Sequence, residues 1–261
     1  MQDTRWLTPD ALLRRLGLEN ITLSETDSTR IESALRIAQA EIETLTGRRY
    51  APLMKTVVHW ARPGDVMLAL RDDLLELSSV RDADGVDYAI ADITWHGGIL
   101  CLPDGVQLPG GPVEIGGLWA FHPAPDQAFR DTEAVLASAA DSADVTITLD
   151  DVDGADAWGD TPRVRIGHLI RIGDELLRVT AIAGDTLTVR RGENGTAPVD
   201  HAANAPILRY VPAYQAKSLA LRLAAWLYRE GEGEHGRAWA GGHRPRSGAS
   251  ASCDGVNEED V

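Results

Sequence analysis

Cysteine is almost missing from this sequence, which holds only Cys101 and Cys253. So far apart, they provide neither a disulfide framework nor a paired-cysteine zinc motif, and a reducing cytoplasm suits them. Also missing is any stretch approaching the about 18 apolar residues of a membrane span. The opening MQDTRWLTPD has no basic region leading into an apolar run, so neither export nor membrane insertion is expected. Catalytic signatures are absent as well. The seven histidines (His59, His96, His122, His168, His201, His235 and His243) never fall in HExxH or HxH spacing, and no GxxxxGK[ST] or GxSxG string occurs. An enzyme is therefore not expected, and neither a cofactor nor a catalytic residue is assigned.

Positive charge is in short supply too. Lys and Arg total 25 against 40 Asp and Glu, a formal charge of -15, which argues against a protein whose task is to neutralise phosphates. Two readings of that charge remain, solubility and a surface that repels DNA.

The composition otherwise resembles an ordinary globular chain, with 44% apolar and 25% charged residues. At 261 residues it is one large domain or two modest ones. Thr8-Pro9-Asp10 predicts a helix start, with Thr8 as N-cap, followed by Leu12, Leu13 and Leu16 and stopped by Gly17. A longer helix is expected from about 28 to 46, with Ile31, Ala34, Leu35, Ala38, Ile42 and Leu45 at helical spacing and Gly47 as its stop.

From 53 to 119 the pattern changes to short apolar runs, 56–60, 66–70, 75–80, 99–102 and 113–118, which read as strands. Asp84-Gly85 reads as a hairpin turn. A polar, alanine-rich passage begins near Pro123. A second strand-rich block follows, with runs at 145–149, 169–172, 176–182, 186–189 and 207–210, resembling a small barrel or sandwich. Pro212 then opens a last helix bearing Ala216, Leu219, Ala220, Leu223 and Leu227, expected to pack on the long helix through Leu219 and Leu223 against Leu35 and Ile42. Residues 231–261 are rich in Gly, Ser and charge, with Trp239 the only large apolar side chain, and predict a flexible segment.

The fold class expected is α+β. A small helical domain carrying a short β-sheet is formed by 1–122 and 211–230, an all-β domain of 123–210 is inserted into it, and 231–261 form a C-terminal arm.

Three strings carry a family resemblance. IAQAEIETLTGRRY (37–50) resembles the close of the long helix in the tailed-phage head–tail connector family. VEIGGLWAF (113–121) and VPAYQAKSLALRLAAWLYRE (211–230) resemble the strand and the Val-Pro-initiated helix that follow it there, in the same order. Compact members pass from that strand to that helix directly, whereas here residues 123–210 intervene. Part of the insert, 167–210, resembles a β module of phage structural proteins, with its IRIGDELLRV strand pair and RGENGT loop.

The resemblance implies a virion structural protein made in the bacterial host cytoplasm and residing in the head–tail neck. It implies a ring of this chain, commonly dodecameric in the family, docked under a portal protein. Such an adaptor offers a platform to a neck, stopper or tail-completion protein, with DNA passing through the lumen unbound. An acidic chain suits such a lumen. Arg237, Trp239, Arg244 and Arg246 are the candidate contacts for the portal or a neighbouring subunit, an aromatic anchor beside charge-assisted donors.

Two readings from other classes compete with this one. The β domain is, in the first, a binding module for a glycan or host surface. The second is a metal-assisted hydrolase using Asp150, Asp151, Asp153, Asp156 and Asp160, but that run fails as an EF-hand, with Ala155 and Pro162 at ligand positions, and a solvated loop fits it better. Asn194-Gly195-Thr196 reads as a turn, and His201 as a buried hydrogen-bonding residue.

Overall fold

The chain is seen in a computed structural model that describes residues 5–19 and 21–240, with side chains up to 230. Among the described residues it is α+β, with three α-helices and three antiparallel sheets.

Helix α1 (Pro9–Leu16) starts as its sequence dictates. The Thr8 hydroxyl accepts from the Ala11 amide, Pro9 occupies the first turn, and Gly17 ends the helix at φ 73. Helix α2 (Glu25–Thr46) begins earlier than the apolar spacing indicated, because Ser24 caps it: its hydroxyl accepts from the Asp27 amide at 3.1 Å and donates to the Asp27 carboxylate at 2.7 Å. Ile31, Ala34, Leu35, Ala38 and Ile42 are buried. Buried among them, Gln39 accepts from the Trp6 and Leu7 amides at 2.8 and 2.9 Å, fixing the entry of the chain against α2.

Helix α3 (Tyr214–Ala240) packs antiparallel to α2, since Arg30 near the start of α2 donates to the Tyr228 carbonyl. The seam on α3 is Ala216, Ala220, Ala224, Ala225 and Tyr228. The expected seam through Leu219 and Leu223 is corrected in part: Leu219 is 50% exposed, whereas Leu223 is half-buried and packs against the cluster that holds Leu35 and Ile42. Both stripes repeat at helical spacing, and the alanine one lets the backbones approach closely. Leu45 is likewise 76% exposed, since the antiparallel pairing sets the last turn of α2 beside the start of α3, where its partner runs out. Helix α3 continues to Ala240 where a flexible segment was expected from 231, so the backbone of 231–240 is helical.

Between α2 and the second block lie β1 (Leu53–Ala61), β2 (Met67–Ala69), β3 (Leu74–Arg81), β4 (Thr94–His96), β5 (Ile99–Cys101) and β6 (Gly111–Trp119). They form one sheet of order β1-β6-β3 and a small one of order β2-β5-β4. Their facing sides bury Val80, Leu100, Val113, Ile115 and Trp119. The Asp84-Gly85 turn is present, with Gly85 at φ 81 and the Gly85 amide donating to the Asp82 carbonyl.

The second block is one six-stranded sheet built from β7 (Phe129–Val135), β8 (Thr146–Thr148), β9 (Leu169–Ile172), β10 (Glu175–Ala183), β11 (Thr186–Arg190) and β12 (Pro206–Tyr210), in the order β7-β12-β9-β10-β11-β8. A bridge between Leu136 and Leu149, with amide bonds from Ala137 to Thr148 and from Asp150 to Val135, joins the two outer strands, so the sheet curls into a barrel around Leu136, Ile147, Ile170, Ile172, Leu177 and Leu187.

Strand β7 arises where a polar linker was expected. Thr132 and Ala134 point inward and Asp131 and Glu133 outward, an alternation that carries little hydrophobicity. The barrel also shares the core around α2. Leu169, Leu176, Phe129 and Tyr210 pack with Trp6, Tyr50 and Leu118, and the Tyr210 hydroxyl donates to the Tyr50 carbonyl.

Candidate interaction surfaces

Two polar clusters hold the long loops of the barrel. Glu175, at the start of β10, accepts from Arg191 through both carboxylate oxygens (2.7 and 2.8 Å), from the Gly192 and Val199 amides, and meets His201 Nε2 at 2.8 Å. Burial opposes its charge, yet these donors outweigh burial and hold the carboxyl below its ordinary range. His201 therefore has the buried hydrogen-bonding role expected of it. Within the same loop Asn194 and Gly195 form the turn, with φ of 51 and 84. A Cβ at Gly195 would collide with the Met54 carbonyl oxygen, so the close approach of this loop to β1 needs glycine.

The aspartate run forms the second cluster. Asp150 accepts from the Val135 amide, Asp151 from the Asp153 and Gly154 amides, and Asp156 from the Trp158 and Asp160 amides. Arg209 lies 2.6 Å from Asp156 and 3.3 Å from Asp160, and Arg130 lies 3.3 and 2.7 Å from the same pair. Burial disfavours the Asp156 carboxylate, but the two amides and the two guanidiniums still bring its pKa down. These oxygens are occupied by N–H donors, and no group of three metal-ligating side chains stands together among the described residues.

The outer face of α3 presents Leu219 and Trp226 to solvent, with Arg222 and Arg229 beside them. Val58 and Trp60, the latter 71% exposed, stand on β1 at the edge of its sheet. Aromatic and arginine side chains of this kind are the ones that dominate protein interfaces. Of the four contact residues expected from sequence, Arg237 and Trp239 fall on the last turns of α3, where only the backbone is described. Arg244 and Arg246 lie outside the described residues.

A feature with no sequence signal is a cleft of about 840 Å³ where α1, the start of α3 and the barrel meet. Arg14, Arg15, Arg130, Arg165, Arg178, Arg209 and Lys217 line it, with Asp160 as its single lining carboxylate. Trp6, Leu169 and Tyr210 form its apolar floor, and the exposed rings of Trp158 and Tyr214 stand at its walls. Arg130 stacks over Trp158, 4.4 Å from the ring centre. Asp10 stands behind the lining, paired with Arg14 at 2.9 Å.

Among the described residues the Lys217 ammonium and the Arg15 guanidinium make no hydrogen bond or ion pair. Burial, then Arg14 and Arg209, push the Lys217 ammonium below its usual range. His168 is driven well below its own by burial and by Arg209, Lys217, Arg165 and Arg14, and its Nδ1 accepts from the Arg165 amide. The cleft thus gathers seven cations against one lining carboxylate. Sequence reading missed it because its members are scattered from position 14 to position 217.

No family model matches the chain, and no curated protein matches it. No described helix is long and apolar enough to cross a membrane.

Proposed function

We propose that this chain is a structural head–tail connector of a tailed phage, assembling as a ring beneath a portal protein and giving a neck or tail-completion protein its platform. The observation that carries the reading is the meeting of the three strings that resemble the family. Tyr50, from the turn after α2, packs against Phe121 at the end of the β6 string, with ring centres 5.8 Å apart. The Phe121 amide donates to the Arg49 carbonyl at 2.7 Å, and Arg48 covers the Phe121 ring at 3.8 Å. Ala213, from the Val-Pro string, joins Tyr50 and Ala120 in the same apolar cluster. Segments far apart in the chain thus form one joint, as parts of one inherited frame should.

In this reading residues 123–210 are an insertion into that frame. Their entry and exit support it, because Phe129 and Tyr210 are cross-strand partners and the chain leaves and rejoins the frame at one place. The exposed Leu219 and Trp226 face of α3 supplies apolar surface for a repeated subunit contact, which a closed ring requires. The segment from 231 onward, with Arg237, Trp239, Arg244 and Arg246, is the arm that engages the portal or a neighbour. The protein works by assembly rather than catalysis, in the virion neck, and its net charge of -15 keeps DNA sliding through the lumen.

Negative-stain micrographs of the purified chain, alone and mixed with a portal protein, test this. Annular particles with a central channel, or density capping the portal, are expected. Particles that stay monomeric at high concentration and leave the portal bare would overturn the reading.

A further inference from the structure

The basic cleft is out of character with the chain around it. Seven cationic side chains line it in a protein of net charge -15, and two of them, Lys217 and Arg15, have no partner among the described residues. Arg15 is exposed and Lys217 half-buried, so it is the partly desolvated Lys217 ammonium that an incoming anion would chiefly relieve. The start of α3 adds to this, since Val211, Pro212, Tyr214 and Gln215 line the cleft and the unpaired amides of a helix's first turn favour negative charge.

The size and walls of the cleft define the ligand further. A single phosphate would leave most of about 840 Å³ empty, and the Trp6, Leu169 and Trp158 surfaces call for a ligand with apolar parts between its charges. An extended acidic peptide fits, and this chain carries one: DGVNEEDV, with Asp254, Glu258, Glu259 and Asp260 around Val256.

Reach decides whose segment it is. Helix α3 begins at the cleft and runs away from it for 27 residues, about 40 Å at the rise of an α-helix. Residues 241–253 span about 45 Å only when fully stretched. Folding back within one molecule would thus consume nearly the whole length of the connecting segment, whereas a neighbouring copy has no such constraint.

We propose that the cleft receives the acidic segment 254–261 of a second copy of this chain. The proposal rests on the reading that copies assemble, and it names the contact that links them. The carboxylates of Glu258, Glu259 and Asp260 meet Lys217, Arg15 and the neighbouring arginines, and Val256 meets the apolar floor.

The test uses the full chain carrying Glu258→Gln, Glu259→Gln and Asp260→Asn, so that its own segment does not compete. A fluorescent peptide of residues 250–261 is titrated into it at low salt and at 0.5 M salt. Saturable binding is expected at low salt, weakened at least about tenfold by the added salt. A similar loss is expected with Lys217→Glu and with the milder Arg15→Gln, and each variant is checked for an unchanged melting curve. In sedimentation velocity the neutralised chain should lose self-association that the unaltered chain shows. Equal binding to intact and altered clefts would overturn the proposal. So would an oligonucleotide such as a thymidine 12-mer occupying the cleft while the peptide does not. Annular particles that form regardless of Lys217→Glu would sink this contact and leave the connector reading standing. Peptide binding without annular particles would do the reverse.

Discussion

The helical frame and the barrel are held together by different means. Between α2 and α3 the seam is alanine against Ile31, Leu35 and Ile42, and its contacts are almost wholly apolar. The barrel has an apolar interior too, but its long loops are tied by buried charge, Glu175 under Arg191 and His201, and Asp156 under Arg209 and Arg130. Helices satisfy their own backbone groups, whereas long loops between strands need partners for theirs, and a buried carboxylate that accepts several N–H groups is one compact solution. The difference teaches where each region is vulnerable: the frame to lost volume, the barrel to lost charge.

The strongest way to break that comparison is to remove one region. Replacing residues 130–209 by a short Gly/Ser linker retains Phe129 and Tyr210, which are already partners across the joint. The helical signal of α2 and α3 in circular dichroism should survive with a melting temperature well below that of the full chain, because Leu169 and Leu176 no longer cover Tyr50 and Leu118. Loss of all helical signal would mean that frame and barrel form a single folding unit.

Next in size is Glu175→Ala, which strands Arg191, His201 and two loop amides without their acceptor. A loss of about 3–5 kcal/mol in urea unfolding is expected. A cost below about 1 kcal/mol would show that water replaces the carboxylate and that charge does not secure the loop.

Within the frame, Leu35→Ala should cost about 2–5 kcal/mol, and Leu219→Ala, on the solvent side of α3, no more than about 0.5. Equal costs would overturn the alanine seam.

The smallest effect is read from pH. Burial first, with Arg71 and Lys55 adding to it, lowers the pKa of His59; burial lowers that of His122; burial and four cations lower that of His168. Each is neutral in the fold. Below about pH 6.5 the unfolded chain takes up protons that the fold refuses, so stability is complete above that value and declines as the pH falls through it. Asp156 and Glu175 have folded pKa values below the unfolded carboxylate range, so their contribution is present above about pH 4 and is lost below it. Urea midpoints from pH 8 to pH 3 should therefore fall in two stages, and His168→Gln should reduce the first without touching the second.

Much of this architecture was legible in the residues. Thr8 with Pro9, the apolar spacing of α2 and the strand runs of the barrel announced themselves, because burial on one face writes a period into the sequence. Strand β7 did not, since its inward residues are Thr132 and Ala134. The α3 seam was misread because alanine and leucine stripes run side by side at the same spacing, and only packing distance selects between them. Residues 231–240 read as loop because Gly231, Gly233 and Gly236 are poor helix formers. The cleft was the least legible feature. Arg14, Arg130, Arg178 and Lys217 become neighbours only through tertiary folding, and no local pattern joins them.

Helix α3 runs unbroken from the cleft wall at Tyr214 to Ala240. At the rise of an α-helix that length is about 40 Å, and α2 clamps it from Ala216 to Tyr228. Whatever settles against Lys217 thus sits at one end of a braced strut, and the turn bearing Arg237 and Trp239 stands at the other, past the last described contact with α2.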